Sequence, residues 1–347
     1  MIKDSFHVIT EPEKLDEKAW YRFVEQHPSG NIFQTPYFYK VYRDTKSYRP
    51  FVLALLNQND EFVGILQWVV QYFGGKLANK MFSRAVIWGG PLVLNNDERH
   101  AKEILKIYKG FVQHHAVFSQ FRNLSNNDYL KDIIRDNGFQ IYEHLNIHVE
   151  LTKNEEQLWN EVHSKRRNEI RKAYKSGLTF HDETQLNALK ESYEILKEVY
   201  ANAKLPLAEF DFFEKLLKHT TDECGIKNFV AKSAGKIVGC MIALVYKEVI
   251  YDFYAGSYRD HYPKNPNDLI PWEVFKWGKA NGFSLFDFGG AGKPNVKYGV
   301  RDYKKKFGGQ LLNLGRYQIV HQPVKMKIAE IGFKAWQFIQ GSRTSTQ

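Results

Sequence analysis

A chain of 347 residues is too long for one ordinary core and suits two domains of roughly 150–180 residues each. Its 43% hydrophobic content, with 25 Phe and 20 Tyr, excludes a disordered chain, and its two cysteines exclude a disulfide framework or a thiol-rich metal centre. A formal charge of +10 favours an anionic partner such as a nucleotide, tRNA, CoA or a membrane surface, unless it serves only solubility.

The opening Met1-Ile2-Lys3-Asp4 leads into polar sequence rather than a signal peptide, and no run of about 20 apolar residues occurs, so the expected location is the cytoplasm. Periodicity predicts helices over 16–26 and 34–43. Strands over 51–56 and 62–72 follow, joined by the turn Asn57-Gln58-Asn59-Asp60. A loop at Gly74-Gly75 precedes a strand over 85–88 that ends in Gly89-Gly90-Pro91. A helix over 98–115, a strand over 116–121, a helix over 128–137 closed by Gly138 and a strand over 139–150 complete the first half. The second half opens with Thr152 and Glu155 spaced as a capping box, then one helix carrying Leu158, Val162, Ile170 and Ala173 and ending at Gly177. A helix over 185–202 and a break at Pro206 follow, then a helix over 212–218 with Asp211 and Glu214 as its cap signature. Strands are expected over 226–232, 237–246 and 249–255. After a Pro/Asn loop at 262–268 come a helix over 269–280, a strand over 283–288, a short basic helix over 300–307, a strand over 311–320 and an amphipathic helix over 326–339.

The two halves echo each other. Glu61-Phe62-Val63-Gly64-Ile65 resembles Lys236-Ile237-Val238-Gly239-Cys240, and both follow hairpin turns. Each is succeeded by a strand ending in glycine, Trp88-Gly89-Gly90 and Tyr254-Ala255-Gly256, and then by helix, strand, short helix and strand. The repeat implies two mixed-sheet α/β units, 1–150 and 151–322, with a helix and polar tail over 323–347 and a cleft between the units.

Two basic segments could carry chemistry. In His163-Ser164-Lys165-Arg166-Arg167-Asn168-Glu169-Ile170-Arg171-Lys172, Arg167 and Arg171 share a helix face, which Arg166, Lys165, Lys172 and Lys175 broaden. Guanidinium forks suit phosphate oxygens, although the segment also reads as a solvated helix face. The second segment, Lys297, Arg301, Lys304, Lys305 and Lys306, runs into Phe307-Gly308-Gly309 and lies beyond Asp287-Phe288-Gly289-Gly290-Ala291-Gly292. Gly289 and Gly290 permit a sharp turn whose backbone N–H groups could receive an anion. Neither a P-loop nor a Gly-x-Gly-x-x-Gly dinucleotide pattern is present. Asp287, between Phe286 and Phe288 near the end of a strand, points away from both rings. It could orient or deprotonate an amine, or cap the glycine loop.

No metal site is expected. His114-His115 has no ligand partner at helical spacing, and neither His-Glu-x-x-His nor Cys-x-x-Cys occurs. Gly-x-Ser-x-Gly is missing too, and Cys224 and Cys240 read as core residues, so direct transfer is favoured over a covalent intermediate. The last helix has lysines at 325, 327 and 334 and could graze a membrane or pack on a domain.

Nearly the whole chain resembles the Fem-type peptidoglycan aminoacyltransferases and their broader GNAT-like acyltransferase relatives. Three segments carry the similarity: Arg-Asn-Glu-Ile-Arg-Lys-Ala at 167–173 with Gly177, Leu285-Phe286-Asp287-Phe288-Gly289-Gly290, and Tyr303-Lys304-Lys305-Lys306-Phe307-Gly308. The resemblance implies two tandem GNAT-like domains without a catalytic metal or covalent nucleophile. It places Arg167 on the phosphates of a cell-wall precursor and Lys304 where a lysine stabilises negative charge during transfer. Where the family supplies an N-terminal lysine to those phosphates, this chain has Tyr42, with Lys40 close by. No long helical arm interrupts the second half, and the lack of an Arg/Gln-x-x-Gly-x-Gly/Ala loop counts against CoA as donor.

The expected function is therefore acyl or aminoacyl transfer from aminoacyl-tRNA to an amine of a cell-wall precursor, with no tightly bound cofactor. Lys304, or Lys305 next to it, would offset developing charge, Asp287 would prepare the amine, and Arg167 and Arg166, with Arg171 and Lys40, would hold phosphate. Peripheral membrane contact is compatible with this reading, and DNA is not an expected partner. An acyl-CoA-dependent N-acyltransferase acting on a small amine or sugar amine is the alternative enzyme. A non-catalytic module binding RNA or an anionic lipid is the alternative to an enzyme.

Overall fold

The computed structural model describes residues 6–72, 83–328 and 331–332. The chain forms two units, one built on the residues up to Glu143 and from Leu314 onward, the other on His144–Asn313.

The first unit contains β1 (His7–Ile9), α1 (Glu17–Gln26), α2 (Pro36–Arg43), β2 (Tyr48–Leu56), β3 (Phe62–Tyr72), β4 (Ser83–Trp88), β5 (Leu92–Val93), α3 (Glu98–Val112), β6 (Phe118–Arg122), α4 (Leu130–Asp136) and β7 (Gln140–Tyr142). Side-chain caps start α1, α2 and α3: Asp16 accepts from the N–H groups of Lys18 and Ala19, Thr35 from that of Phe38, and Asp97 from that of Arg99. Ala101, Ile104, Leu105, Tyr108 and Val112 form the buried stripe of α3 and pack with Leu53, Leu66, Trp68, Ile87 and Phe121 of the sheet. Each such aliphatic side chain contributes about 1.5–3 kcal/mol on burial.

The second unit contains β8 (Leu145–Glu150), α5 (Glu155–Glu161), α6 (Ser164–Lys175), β9 (Thr179–Asp182), α7 (Leu186–Ala203), α8 (Phe210–Lys218), β10 (Cys224–Ser233), β11 (Lys236–Tyr246), β12 (Val249–Ser257), α9 (Pro266–Ala280), β13 (Leu285–Gly290), α10 (Gly299–Lys305) and β14 (Gln310–Asn313). A last strand, β15 (Arg316–Val320), belongs to the first unit. One face of the second sheet packs Ile147, Val149, Met241, Ala243, Ile250, Phe286 and Phe288 against Ile170, Phe275 and Phe307.

The first sheet runs β1-β2-β3-β4-β6-β15-β7, with β5 also pairing β3, and the second runs β14-β8-β13-β12-β11-β10-β9. Each holds one parallel pair, β4–β6 and β12–β13, bridged by a crossover helix, α3 and α9 respectively; the other pairings are antiparallel. The duplication expected from the sequence is thus present as two sheets of matching layout.

Several boundaries differ from the sequence reading. The single strands expected over 139–150 and 311–320 are each two strands, and in both cases the halves join different sheets. Gly315, at φ +71°, makes the second break. A division at residues 150 and 322 therefore misplaces β8, which pairs β13 and β14, and β15, which pairs β6 and β7. The helix expected from Thr152 to Gly177 is two helices separated at Val162 and His163. Its capping box is Asn154 with Gln157, whose side chains and backbone N–H groups bond reciprocally, not Thr152 with Glu155. Asp211 does not cap α8 but lies in its first turn, 3.1 Å from Lys215. The loop before α9 contains a 3₁₀ segment, Arg259–Lys264, and the helix begins already at Pro266. Gly74-Gly75 and most of the helix expected over 326–339 lie outside the described residues; 323–328 and 331–332 are helical. Among the described residues no helix is long and apolar enough to cross a membrane.

Candidate functional site

The parallel ladder between β12 and β13 is short. It pairs Val249 with Leu285, Ile250 with Phe286 and Tyr251 with Asp287, and stops there although both strands continue. Beyond the last pair the Phe288 carbonyl and the Gly289 N–H are satisfied by side chains. Lys304 Nζ donates to the Phe288 oxygen, and Asp287 Oδ1 accepts from Gly289 N at 2.6 Å. One peptide unit is thus gripped at both ends, by the two residues that the sequence marks as the centre of the chemistry. Gly289 sits at φ +68°, a backbone state that favours glycine.

The two residues approach from opposite faces of the sheet. Strand alternation puts Asp252 on the core face with Ile250, Phe286 and Phe288. Lys304, from the last turn of α10, meets it there, with Nζ 3.6 Å from Asp252 Oδ2 and 5.8 Å from the centre of the Phe288 ring. Only 14% of the Lys304 side chain and 10% of that of Asp252 is exposed. Burial pushes the Asp252 carboxyl above its ordinary 3.8, the Lys304 ammonium pulls it back, and the Asp287 charge adds to the rise. Asp287 points to the other face, level with Tyr251 on β12 and His148 on β8. Burial raises the Tyr251 hydroxyl, and the Asp287 charge raises it further. His148 Nε2 lies 3.4 Å from Asp287 Oδ1.

The two basic segments, about 140 residues apart in the chain, meet at the α6–α10 contact. His163 N donates to the Lys306 carbonyl, and the Arg166 guanidinium lies 4.6 Å from the Tyr303 ring centre and 5.2 Å from that of Phe307. Arg166 is committed: it forms a largely buried ion pair with Asp268. Arg301 is likewise occupied, donating to the carbonyls of Ala291, Lys293 and Val296 and pinning the loop after β13. Arg171 lies 5.2 Å from the Trp159 ring and donates to Asn168. Among the described residues, the Arg167 side chain makes long hydrogen bonds, 3.4 Å each, to the Trp159 carbonyl and the Asn160 side chain. Lys305 is exposed. Phe307 is buried against Phe288 and Tyr303, and Gly308, at φ +87°, runs close to Glu161. Gly290 pairs Asn146 after a break in the β13–β8 register.

Lys40 belongs to the first unit and pairs with Glu17 at 2.5 Å beside a cavity of about 390 Å³. Tyr42, on the same helix, is buried in the core of the first unit, and burial raises its hydroxyl far above 10. In the second unit a cavity of about 600 Å³ is lined by His148, Glu150, Lys153, Glu161, Leu285 and residues 308–310. No cluster of three or more His, Cys, Asp or Glu side chains suited to a metal occurs among the described residues.

Sequence reasoning missed Asp252 and His148. Asp252 carried a usable signal, a lone carboxylate inside an aromatic strand; His148 carried none, because its meaning depends on which residue it faces across β8 and β13.

An α/β architecture of two GNAT-like sheets, with charged side chains at the opened parallel ladder of the second, defines the structural class. Residues 162–305 match the family described as Acetyltransferase (GNAT) domain. The chain is 25% identical over 147 residues to the UDP-N-acetylmuramoylpentapeptide-lysine N(6)-alanyltransferase of Weissella viridescens, a stretch covering 42% of each protein. It thus spans less than half the length of that curated relative. The crystal structure of FemX superposes with a TM-score of 0.71 at 16% identity, over 93% of this chain and 99% of the other. The structure of L-PGS from Bacillus licheniformis gives 0.58 at 19% identity, over 92% and 96%. The tandem GNAT-like fold follows from these likenesses.

Proposed function

We propose that this protein transfers an acyl or aminoacyl group from an activated donor to an amine, with the chemistry at the opened end of the β12–β13 ladder. One observation carries the reading: the buried Lys304–Asp252 pair stands at that opening, within the residues that match an acetyltransferase domain. An ammonium held in a largely dry site stabilises an oxyanion more than it could in water, and being fixed in advance it costs no reorganisation. Asp287 is the proton acceptor for the attacking amine. Arg167, whose long contacts leave its fork loosely held, is the phosphate-binding group of this unit.

For the substrates, the relative named for a muramoylpentapeptide lysine supports an amine of a cell-wall precursor as acceptor; the first donor to test is aminoacyl-tRNA, as the resemblance to the Fem-type aminoacyltransferases implies. The acetyltransferase family match supports acyl-CoA as the second donor to test. Purified protein would be offered charged tRNAs and acyl-CoAs with muropeptide precursors and small amines, and products read by mass. Transfer from charged tRNA to a precursor amine is expected, with Arg167→Ala raising KM for the phosphate-bearing substrate about tenfold. Turnover with acyl-CoA alone selects the N-acyltransferase, and binding of RNA or anionic lipid without transfer from any donor rejects an enzyme.

A further inference from the structure

Asp287 has a neighbour that the chemistry above does not use. His148 is directly opposite it in the β13–β8 register, and its Nε2, 3.4 Å from Asp287 Oδ1, is buried without an aligned hydrogen-bond partner. The same residue lines the 600 Å³ cavity, so one side chain spans the distance between a buried carboxylate and open space. The turn at 308–310 closes tightly over β8: at Gly309, with φ +84°, an added Cβ would stand 2.4 Å from the His148 carbonyl oxygen. Around His148 the titratable groups are Asp287 on β13 and Tyr251 beyond it on β12, with Glu150, Lys153 and Glu161 about the cavity. Lys153 and Glu161 pair at 2.6 Å, which leaves the imidazole as the group placed to pass a proton between Asp287 and the cavity.

Acylation of an amine must dispose of two protons. The acceptor enters as R–NH3+ and leaves as R–NH–CO–R′: the N–C bond forms, the C–O or C–S bond to the donor breaks, and the departing oxygen or sulfur takes one proton. The other must reach water. A carboxylate 3% exposed can accept it but cannot hand it to solvent unaided.

We propose that His148 is the proton exit of the transfer site, a relay and positioning residue that takes the proton from Asp287 and releases it into the cavity. The inference rests on the transferase reading above.

The test uses the full chain with whichever donor it accepts. His148→Ala lowers kcat about tenfold with KM unchanged, and imidazole, small enough for the cavity, restores most of the loss. His148→Gln keeps a hydrogen-bonding group at the strand position but cannot ferry a proton, so it shows the same fall without rescue. Unchanged kcat in both variants, or a fall in His148→Ala that imidazole leaves untouched, overturns the relay. A readout free of activity separates it from the transferase reading. With 15N-labelled histidine, the Nε2 proton of His148 is protected in the wild type and loses protection in Asp287→Ala. Absence of that protection in the wild type overturns the relay whatever the donor; its presence in a protein that no donor turns over supports the dyad and rejects the transferase reading alone.

Discussion

The parallel pair of the first sheet is closed where that of the second is open. Between β4 and β6 the ladder runs through five pairs, from Arg84 with Phe118 to Trp88 with Arg122, and Gly89 N extends it by donating to the Arg122 carbonyl at 2.9 Å. Neutral amides finish the closure: Gln34 Nε2 donates to the Trp88 carbonyl at 2.9 Å and Asn127 Nδ2 to that of Gly89 at 3.0 Å. At the matching place in the second unit the ladder stops after three pairs, and charged side chains, Lys304 and Asp287, take the freed backbone groups. One layout therefore serves two ends. Amides close a seam at little electrostatic cost, whereas charges hold it open and must be paired to survive burial.

This contrast can be sharpened in order of expected effect. Arg166→Ala leaves Asp268 buried and unpaired and should cost roughly 3 kcal/mol in denaturant unfolding; a loss below 1 kcal/mol would mean that the second unit's charges are not paired as tightly as the geometry says. Gln34→Leu removes the partner of the Trp88 carbonyl and of both backbone groups of Gln67, and about 2 kcal/mol is the expected loss from the first unit. Asp252→Asn keeps the shape but removes the charge opposite Lys304, so kcat should drop about tenfold.

A further prediction is a pH dependence in the first unit. Tyr108 donates to Ser119 Oγ at 2.6 Å, and that hydroxyl lies 2.7 Å from His321 Nε2. Burial, aided by Lys109, lowers His321 from 6.5 to about 4. Because the unfolded chain then binds the extra proton between those values, the contribution is complete above pH 6.5 and is lost as pH falls toward 4. Amide protection factors over 316–322, corrected for the intrinsic pH dependence of exchange, should fall as pH drops across that window and cease to do so in His321→Gln; protection factors independent of pH there would remove His321 as the cause.

Much of this was legible in the chain itself. Asp287 and Lys304 stand out because glycines and lysines cluster after a strand, and the duplicated order of elements survives in both sheets. Two kinds of information were not legible. Alternation continues through 139–150 and 311–320, so nothing short of Gly315 signals that each strand breaks and changes sheet. The partners of the key residues, Asp252 and His148, come from other strands, and a cross-strand register is fixed by the whole sheet rather than by local pattern. Arg166 shows the converse: a residue that reads as a phosphate ligand is taken by Asp268, which lies 102 positions away.

The most direct comparison sets the lysines of the two corresponding short helices against each other. Under single-turnover conditions, Lys304→Ala on α10 should slow transfer by about a hundredfold or more, the scale of a lost oxyanion-stabilising group. Lys131→Ala on α4, where the lysine pairs with Asp128 at the surface, should leave the rate unchanged. Equal losses in the two variants, or a wild-type rate in Lys304→Ala, would contradict the assignment of the chemistry to the open seam of the second unit.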